Sequence, residues 1–280
     1  MTRTDRISWV EYEALLEAAP ILFLPVGAHE QHGPHLPMGT DAIFATRMAE
    51  ELAARLGGLV LPTLSYGYKS QARSGGGQTF PGTTSLDGST LVAMTTDILR
   101  ELARHGVEKL VVLDGHYENQ WFLTEGIELA QREFALQGHS MRVVRTEYWD
   151  LCPQSVLDSV FDADFPGYDL EHAALIETSM MLYWHPELVQ KDRLPDDGPA
   201  RFEAFDHYPQ DGLGVPASGA LAPAVMPTVS SPVNHWGSMS RSSSINRDQT
   251  PHQLAISASR RLFELFMLPK TSTLSAFWHN

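Results

Sequence analysis

Cysteine is all but missing from this 280-residue chain. Cys152 stands alone, so no internal disulfide can form, and a lone thiol suits a reducing compartment. Basic residues are also scarce: 20 Lys and Arg against 34 Asp and Glu give a formal net charge of -14. That balance argues against a general nucleic-acid or anionic-membrane binder, whose surface needs clustered cations to neutralise phosphates. No stretch approaches the apolar length of a membrane span. The opening "MTRTDRISWVEYEALLEAAP" lacks the unbroken apolar core of a secretory signal. A cytoplasmic location and a small-molecule partner are therefore expected, with no nucleic acid and no membrane. Internal repeats and long low-complexity runs are absent too. With 43% hydrophobic and 19% charged residues, the composition is that of an ordinary globular protein rather than a disordered one.

What is present is periodic. Apolar strand-like runs at 21–26, 59–64, 109–115 and 141–149 alternate with amphipathic helical stretches, the pattern of an α/β layer fold. The first helix is expected from Thr40 as N-cap, with Gly57 and Gly58 stopping it. Others are expected at 91–106, at 118–138, from Leu170 to Trp184, and near the C-terminus, where Thr250 opens a helix with Pro251 at its first position. The chain reads as a single domain over residues 1–280: a layered α/β/α arrangement with a mostly parallel sheet and a metal site at the carboxyl ends of the strands. Residues 190–247, rich in Pro, Gly, Asp and Ser, read as long loops with a functional or subunit-contact role.

Ligand-type side chains collect where two of these strands end. After "ILFLPV" come Glu30, His32 and Asp41; after "KLVVLD" come His116 and Glu118. Each cluster holds an i, i+2 pair, and in extended chain such a pair projects from one face, so both can converge above the sheet edge. Asp41 completes the set from the start of the next helix. Three carboxylates and two imidazoles are more than one catalytic ion needs but suit two ions sharing a carboxylate. Zn and Mn are the candidates, with Fe compatible. Two ions about 3.5 to 4 Å apart can hold a bridging hydroxide and polarise a carbonyl, which predicts metal-assisted hydrolysis. His29 and His35 read as ordinary polar residues. The glycine-rich "RSGGGQTFPGTTS" is no phosphate loop, for it lacks the Lys-Ser/Thr ending and the strand-loop-helix setting.

"EQHGPHLPMGTD" and "GHYEN", together with "YGYKSQARSGGGQTFPGTTSLDGSTL" at 66–91 and "YDLEHAALIETSMML" at 168–182, resemble the creatininase family of metal-dependent amidohydrolases. The similar blocks run from about residue 7 to 187. The resemblance implies one ion held by Glu30, Asp41 and His116 and a second by His32, Asp41 and Glu118, with Asp41 bridging. It implies that Glu118 also handles protons and that His172 protonates the leaving ring nitrogen, a step suited to an imidazole. Substrate contacts are implied at Ser74, Tyr117, Trp149, Tyr168 and Asp169, where aromatic walls would hold a planar heterocycle. Tyr168 departs from the tryptophan typical of true creatininases. The implied activity is opening of a cyclic amide, first of all creatinine to creatine, and the implied assembly is a homohexamer. A related amidohydrolase or deformylase acting on another N-heterocyclic amide is the alternative. The rival from a different class is a metal-binding subunit without turnover, and Glu118 and His172 argue against it, because binding alone needs no proton shuttle.

Overall fold

The computed structural model describes residues 2–161, 165–195, 197, 199–224 and 278. Strand β1 (Thr2–Arg3) leads into helix α1 (Trp9–Leu16), which opens on a reciprocal cap: Ser8 Oγ accepts from the Glu11 backbone N–H while the Glu11 carboxylate accepts from that of Ser8. Then come β2 (Leu22–Val26), α2 (Thr40–Leu56), β3 (Leu59–Val60), the short α3 (Ala72–Gly75), α4 (Gly88–Arg104) and β4 (Lys109–Asp114). They are followed by α5 (Gln120–Gln137), β5 (Arg142–Glu147), α6 (Gln154–Phe161) and α7 (Leu175–Trp184). The described strands form one sheet in the order β1-β3-β2-β4-β5, every pair parallel.

Strand alternation divides the core. Leu22, Leu24 and Val26 of β2, with Leu110 and Val112 of β4, pack against Leu91 and Leu99 of α4 and Leu123 and Phe134 of α5. Phe23, Val111 and Leu113 point the other way, onto Phe44, Met48 and Leu52 of α2 and Ile176 and Met180 of α7. Both faces are covered, so these central strands are apolar along nearly their whole length, as parallel sheets require. The architecture is the layered α/β/α fold with a parallel sheet that the sequence predicts.

The register puts Val26 beside Asp114, and Asp114 beside Glu147. Three chains therefore leave the sheet at one carboxyl edge, and the segments that follow them carry the polar clusters. Some boundaries differ from those read in the sequence. The strand expected over 59–64 pairs regularly only at Leu59–Val60, since Pro62 has no N–H to give, although Leu61 and Leu64 still donate to Phe23 and Pro25 carbonyls. The helix expected from Leu170 begins at Leu175. Ala173 adopts a left-handed φ of 53°, and the Glu171 carboxylate accepts the Ile176 N–H at 3.1 Å, so a side chain caps the first turn and the preceding residues stay irregular. The expected C-terminal helix lies outside the described residues. The described part of 190–247 folds back toward the sheet edge, where Leu221 N–H donates to the His172 carbonyl at 3.0 Å.

Candidate metal centre

Asp41 occupies the first turn of α2, and two glycines let that turn rest on the strand ends. A Cβ at Gly27 would lie 2.4 Å from the Ala42 nitrogen, and one at Gly115 would lie 2.3 Å from the Asp41 carbonyl oxygen. Only glycine permits so close an approach of backbone to backbone. Asp41 is thereby brought level with the chain segments that follow β2 and β4.

Its two oxygens then face different partners. Asp41 Oδ1 is 2.9 Å from His32 Nε2, and Asp41 Oδ2 is 3.1 Å from His116 Nδ1. Glu30 Oε1 approaches His116 Nδ1 to 3.1 Å. Among the described residues, three groups offer ligand atoms close enough to hold an ion: Glu30, Asp41 and His116; His32, Asp41 and Glu177; and Glu30, His32 and His172. All of these side chains are buried. Four of the five candidate ligands read from the sequence converge in this way, and Asp41 belongs to two of the three groups.

Glu118 stands differently from that reading. Its Oε1 accepts from Gln71 N–H at 2.9 Å and from Ser74 Oγ at 2.7 Å, while Oε2 lies 3.3 Å from His116 Nε2, the nitrogen turned away from Asp41. The glutamate that closes on His32 and Asp41 is Glu177 of α7, whose Oε2 lies 3.7 Å from His32 Nε2. Glu177 Oε2 also accepts the Ala173 N–H at 2.6 Å, and its Oε1 accepts the Tyr148 hydroxyl at 3.3 Å. The sequence held a signal for it: an acid inside "LIETSMML", on a helix otherwise built for the core, is an expense burial permits only with a partner.

Hydrogen bonds assign the imidazole tautomers. His116 Nε2–H donates to the Tyr68 carbonyl at 3.0 Å and His32 Nδ1–H to the Glu30 carbonyl at 3.3 Å, which leaves His116 Nδ1 and His32 Nε2 as lone-pair donors aimed at Asp41. Glu30 Oε2 is buried with no hydrogen-bond partner, and His32 Nε2 and Asp41 Oδ2, though close to their neighbours, make no well-aligned hydrogen bond. Buried polar atoms of this kind need compensation, and a carboxylate and imidazole set fits borderline divalent cations such as Zn and Mn.

Without a cation the cluster shares protons. Burial pushes Glu30 and Glu177 up to about 7. Burial opposes charge on His32, yet the nearby Asp41 and Glu177 carboxylates prevail and raise it to about 10. His172 goes the other way: burial, reinforced by His32, holds it well below the ordinary imidazole value. Its Nε2–H donates to the Gln31 carbonyl at 2.9 Å, and Nδ1 faces Glu30 Oε1 at 3.7 Å. His35 is fully buried against Thr178 Oγ1, 2.8 Å away, while His29 bridges to Thr84 outside the cluster.

Over the metal ligands lies a cavity of about 20 Å³ lined by Ser74, Tyr117, Trp149 and Tyr168 among others. Trp149 and Tyr168 stack with centroids 6.0 Å apart, and Tyr117 meets Trp149 at 5.8 Å. The same three rings border a wider space of about 480 Å³, where Asp169 stands with Arg145 and Glu147. Aromatic side chains thus separate the metal ligands from an outer polar chamber. Asp169 lines that chamber rather than the inner cavity.

A family model described as creatininase, creatinine amidohydrolase, matches residues 5–259. The chain belongs to the creatininase family. A creatinine amidohydrolase of Pseudomonas putida is 48% identical over 221 residues, 78% of this chain and 85% of that one. A solved glutamate-to-glutamine variant of creatininase, of the Zn-Zn type, shares 38% identity and superposes with a TM-score of 0.83 over 97% of this chain and 96% of the other. A manganese creatininase shares 41% identity with a TM-score of 0.78, over 94% of this chain and 95% of the other. This creatininase-family chain thus carries two metal-binding clusters that suit a Zn or Mn pair, on the fold of its relatives. Among the described residues, no helix is long and apolar enough to cross a membrane.

Proposed function

We propose that this creatininase-family enzyme adds water across the cyclic amide of creatinine and releases creatine. The observation that carries the reading is Asp41, whose two oxygens face two different imidazoles at 2.9 and 3.1 Å, the disposition of a carboxylate shared by two cations. Glu30 and His116 would hold one ion beside Asp41, and His32 and Glu177 the other. The bound pair supplies Lewis acidity toward the amide carbonyl and toward water.

The protein's own groups handle the protons. Glu118 is anchored at one oxygen by Ser74 and Gln71, so its other oxygen is placed to take a proton from the attacking water. His172, kept neutral by burial and lining the same cavity as Glu118, accepts at Nδ1 the proton that Glu118 has taken from the water and passes it to the ring nitrogen as the C–N bond breaks. Tyr117, Trp149 and Tyr168 form flat walls for a planar ring, and Ser74 adds a polar group to the lining of the same cavity. Tyr168 donates its hydroxyl to the Trp149 carbonyl at 3.4 Å, which fixes the ring as a wall. The lone cysteine suits a cytoplasmic location, and the family membership supports a homohexamer built from single-domain chains.

The test is metal loading followed by turnover. Two equivalents of zinc or manganese per chain and conversion of creatinine to creatine are expected. Two bound ions with no creatinine turnover would overturn the substrate, and fewer than two ions at saturation would overturn the paired site.

A further inference from the structure

Asn119 sits at the end of "GHYEN", has no solvent exposure and is not a ligand in any converging group. Its amide is nevertheless fully engaged. Oδ1 accepts the Tyr68 N–H at 2.8 Å. Nδ2 donates to Asp114 Oδ1 at 2.9 Å and to the Gly27 carbonyl at 3.2 Å. Two of these partner residues also hold His116: Asp114 Oδ1 accepts the His116 backbone N–H at 3.1 Å, and the Tyr68 carbonyl, on the same residue whose N–H Asn119 accepts, takes His116 Nε2–H at 3.0 Å. The third, Gly27, is the residue on which the first turn of α2 rests. The 67–68 loop lies directly on the amide, since a Cβ at Gly67 would come within 2.6 Å of Asn119 Oδ1.

From this arrangement we infer that Asn119 is a positioning residue for His116, fastening both its backbone and its ring so that Nδ1 is presented to Glu30 and Asp41. The inference rests on the ligand assignment proposed above. Only an amide serves all three contacts: the Tyr68 N–H needs an acceptor, whereas Asp114 and the Gly27 carbonyl need donors. Asn119→Asp keeps the shape and the acceptor but loses both donated bonds and sets a second carboxylate against Asp114. Asn119→Ala loses everything. Either change loosens Tyr68 and Asp114, through which the outer nitrogen and the backbone of His116 are held, and disturbing the partners of a ligating histidine weakens metal binding by about 10- to 100-fold.

The experiment is a competitive zinc titration of the full chain against a chromophoric chelator, resolving two binding steps. The native chain, Asn119→Asp, Asn119→Ala, His116→Ala and the double variants with His116→Ala are compared. Expected is a 10- to 100-fold weakening of one step, the same step that His116→Ala removes, with the other step unchanged. In the His116→Ala background the Asn119 substitutions should add nothing to zinc affinity, because the residue they position is gone. Where Asn119→Ala does not fold, the near-isosteric Asn119→Asp carries the comparison. Native-like affinity at both steps in a folded Asn119 variant, equal weakening of both, or full additivity with His116→Ala would each overturn the inference alone. A native chain that bound fewer than two zinc ions would overturn the ligand assignment and, with it, this reading.

Discussion

Stripping the metals should make the stability of this enzyme fall with rising pH, and His32 sets the amount. In the metal-free cluster its folded pKa rises to about 10, against an unfolded value of about 6.5. A raised folded pKa contributes stability that is complete below about 6.5 and lost as the pH climbs through about 10, because over that window the folded chain holds a proton the unfolded chain has released. Each pH unit inside the window removes about 1.4 kcal/mol, so moving from about pH 7 to pH 9 removes about 3 kcal/mol. His116, likewise raised, acts in the same direction. Cation binding requires both imidazoles deprotonated in the folded state, so the loaded enzyme lacks this slope. At roughly 2–4 °C per kcal/mol for a chain of this size, the gap in Tm between loaded and metal-free protein should widen by roughly 6–12 °C over those two pH units. Circular dichroism melts of chelator-treated, dialysed protein at both pH values, beside reloaded samples, would measure it. The metal-free chain should keep its helix signal at 25 °C, since the apolar core on both sheet faces does not depend on the ions. A gap that stayed constant or narrowed with pH would refute the protonated His32 between two carboxylates. Loss of helix on chelation would make the ions structural.

Other outcomes follow from the same geometry. Asp41→Ala should remove both ions, whereas His32→Ala should weaken mainly one, as metal content after dialysis would record; two retained equivalents with full activity in Asp41→Ala would exclude a shared carboxylate. Glu177→Gln should lose one ion, while Glu118→Gln keeps two and loses turnover, and elemental analysis beside creatinine assays would expose the reverse pattern. His172→Gln should lower kcat by about 10²- to 10⁴-fold at unchanged metal content, and an unchanged rate per folded molecule would leave His172 only a structural part. Tyr168→Trp should raise creatinine turnover if the tyrosine serves only as a wall; a drop in steady-state kcat/KM would show that its hydroxyl takes part in recognising the ring.

The central strands were legible because β2 and β4 are buried on both faces, so apolar pressure acts on every residue of the run. β1 was not, since two residues, Thr2 and Arg3, gain strand geometry only by pairing with β3. α1 is harder to read although Ser8 and Glu11 spell its capping box, because Trp9 and Val10 lie exposed and only Tyr12 and Leu16, both partly buried, face the core. Of the side chains that converge at the sheet edge, Glu30, His32, Asp41 and His116 are legible from their place just beyond strands. Glu177 could not be found that way, as it arrives from a helix remote in sequence and is aimed by the irregular turn at Ala173. That turn depends on Glu171 capping α7, a contact no local pattern announces.

The seating of α2 on Gly27 and Gly115 bears on how metal preference can change in proteins built this way. Main chain meets main chain there, so the shared aspartate sits on a fixed gauge that side-chain substitutions elsewhere do not adjust. A methyl group at either glycine would shift the bridge bodily and disturb both cation positions together, leaving no path by which one could be retuned alone. On the ligand assignment proposed above, divergence in metal choice would instead run through Glu30 and His116 on one side and His32 and Glu177 on the other, while the aspartate between them stays where the backbone puts it.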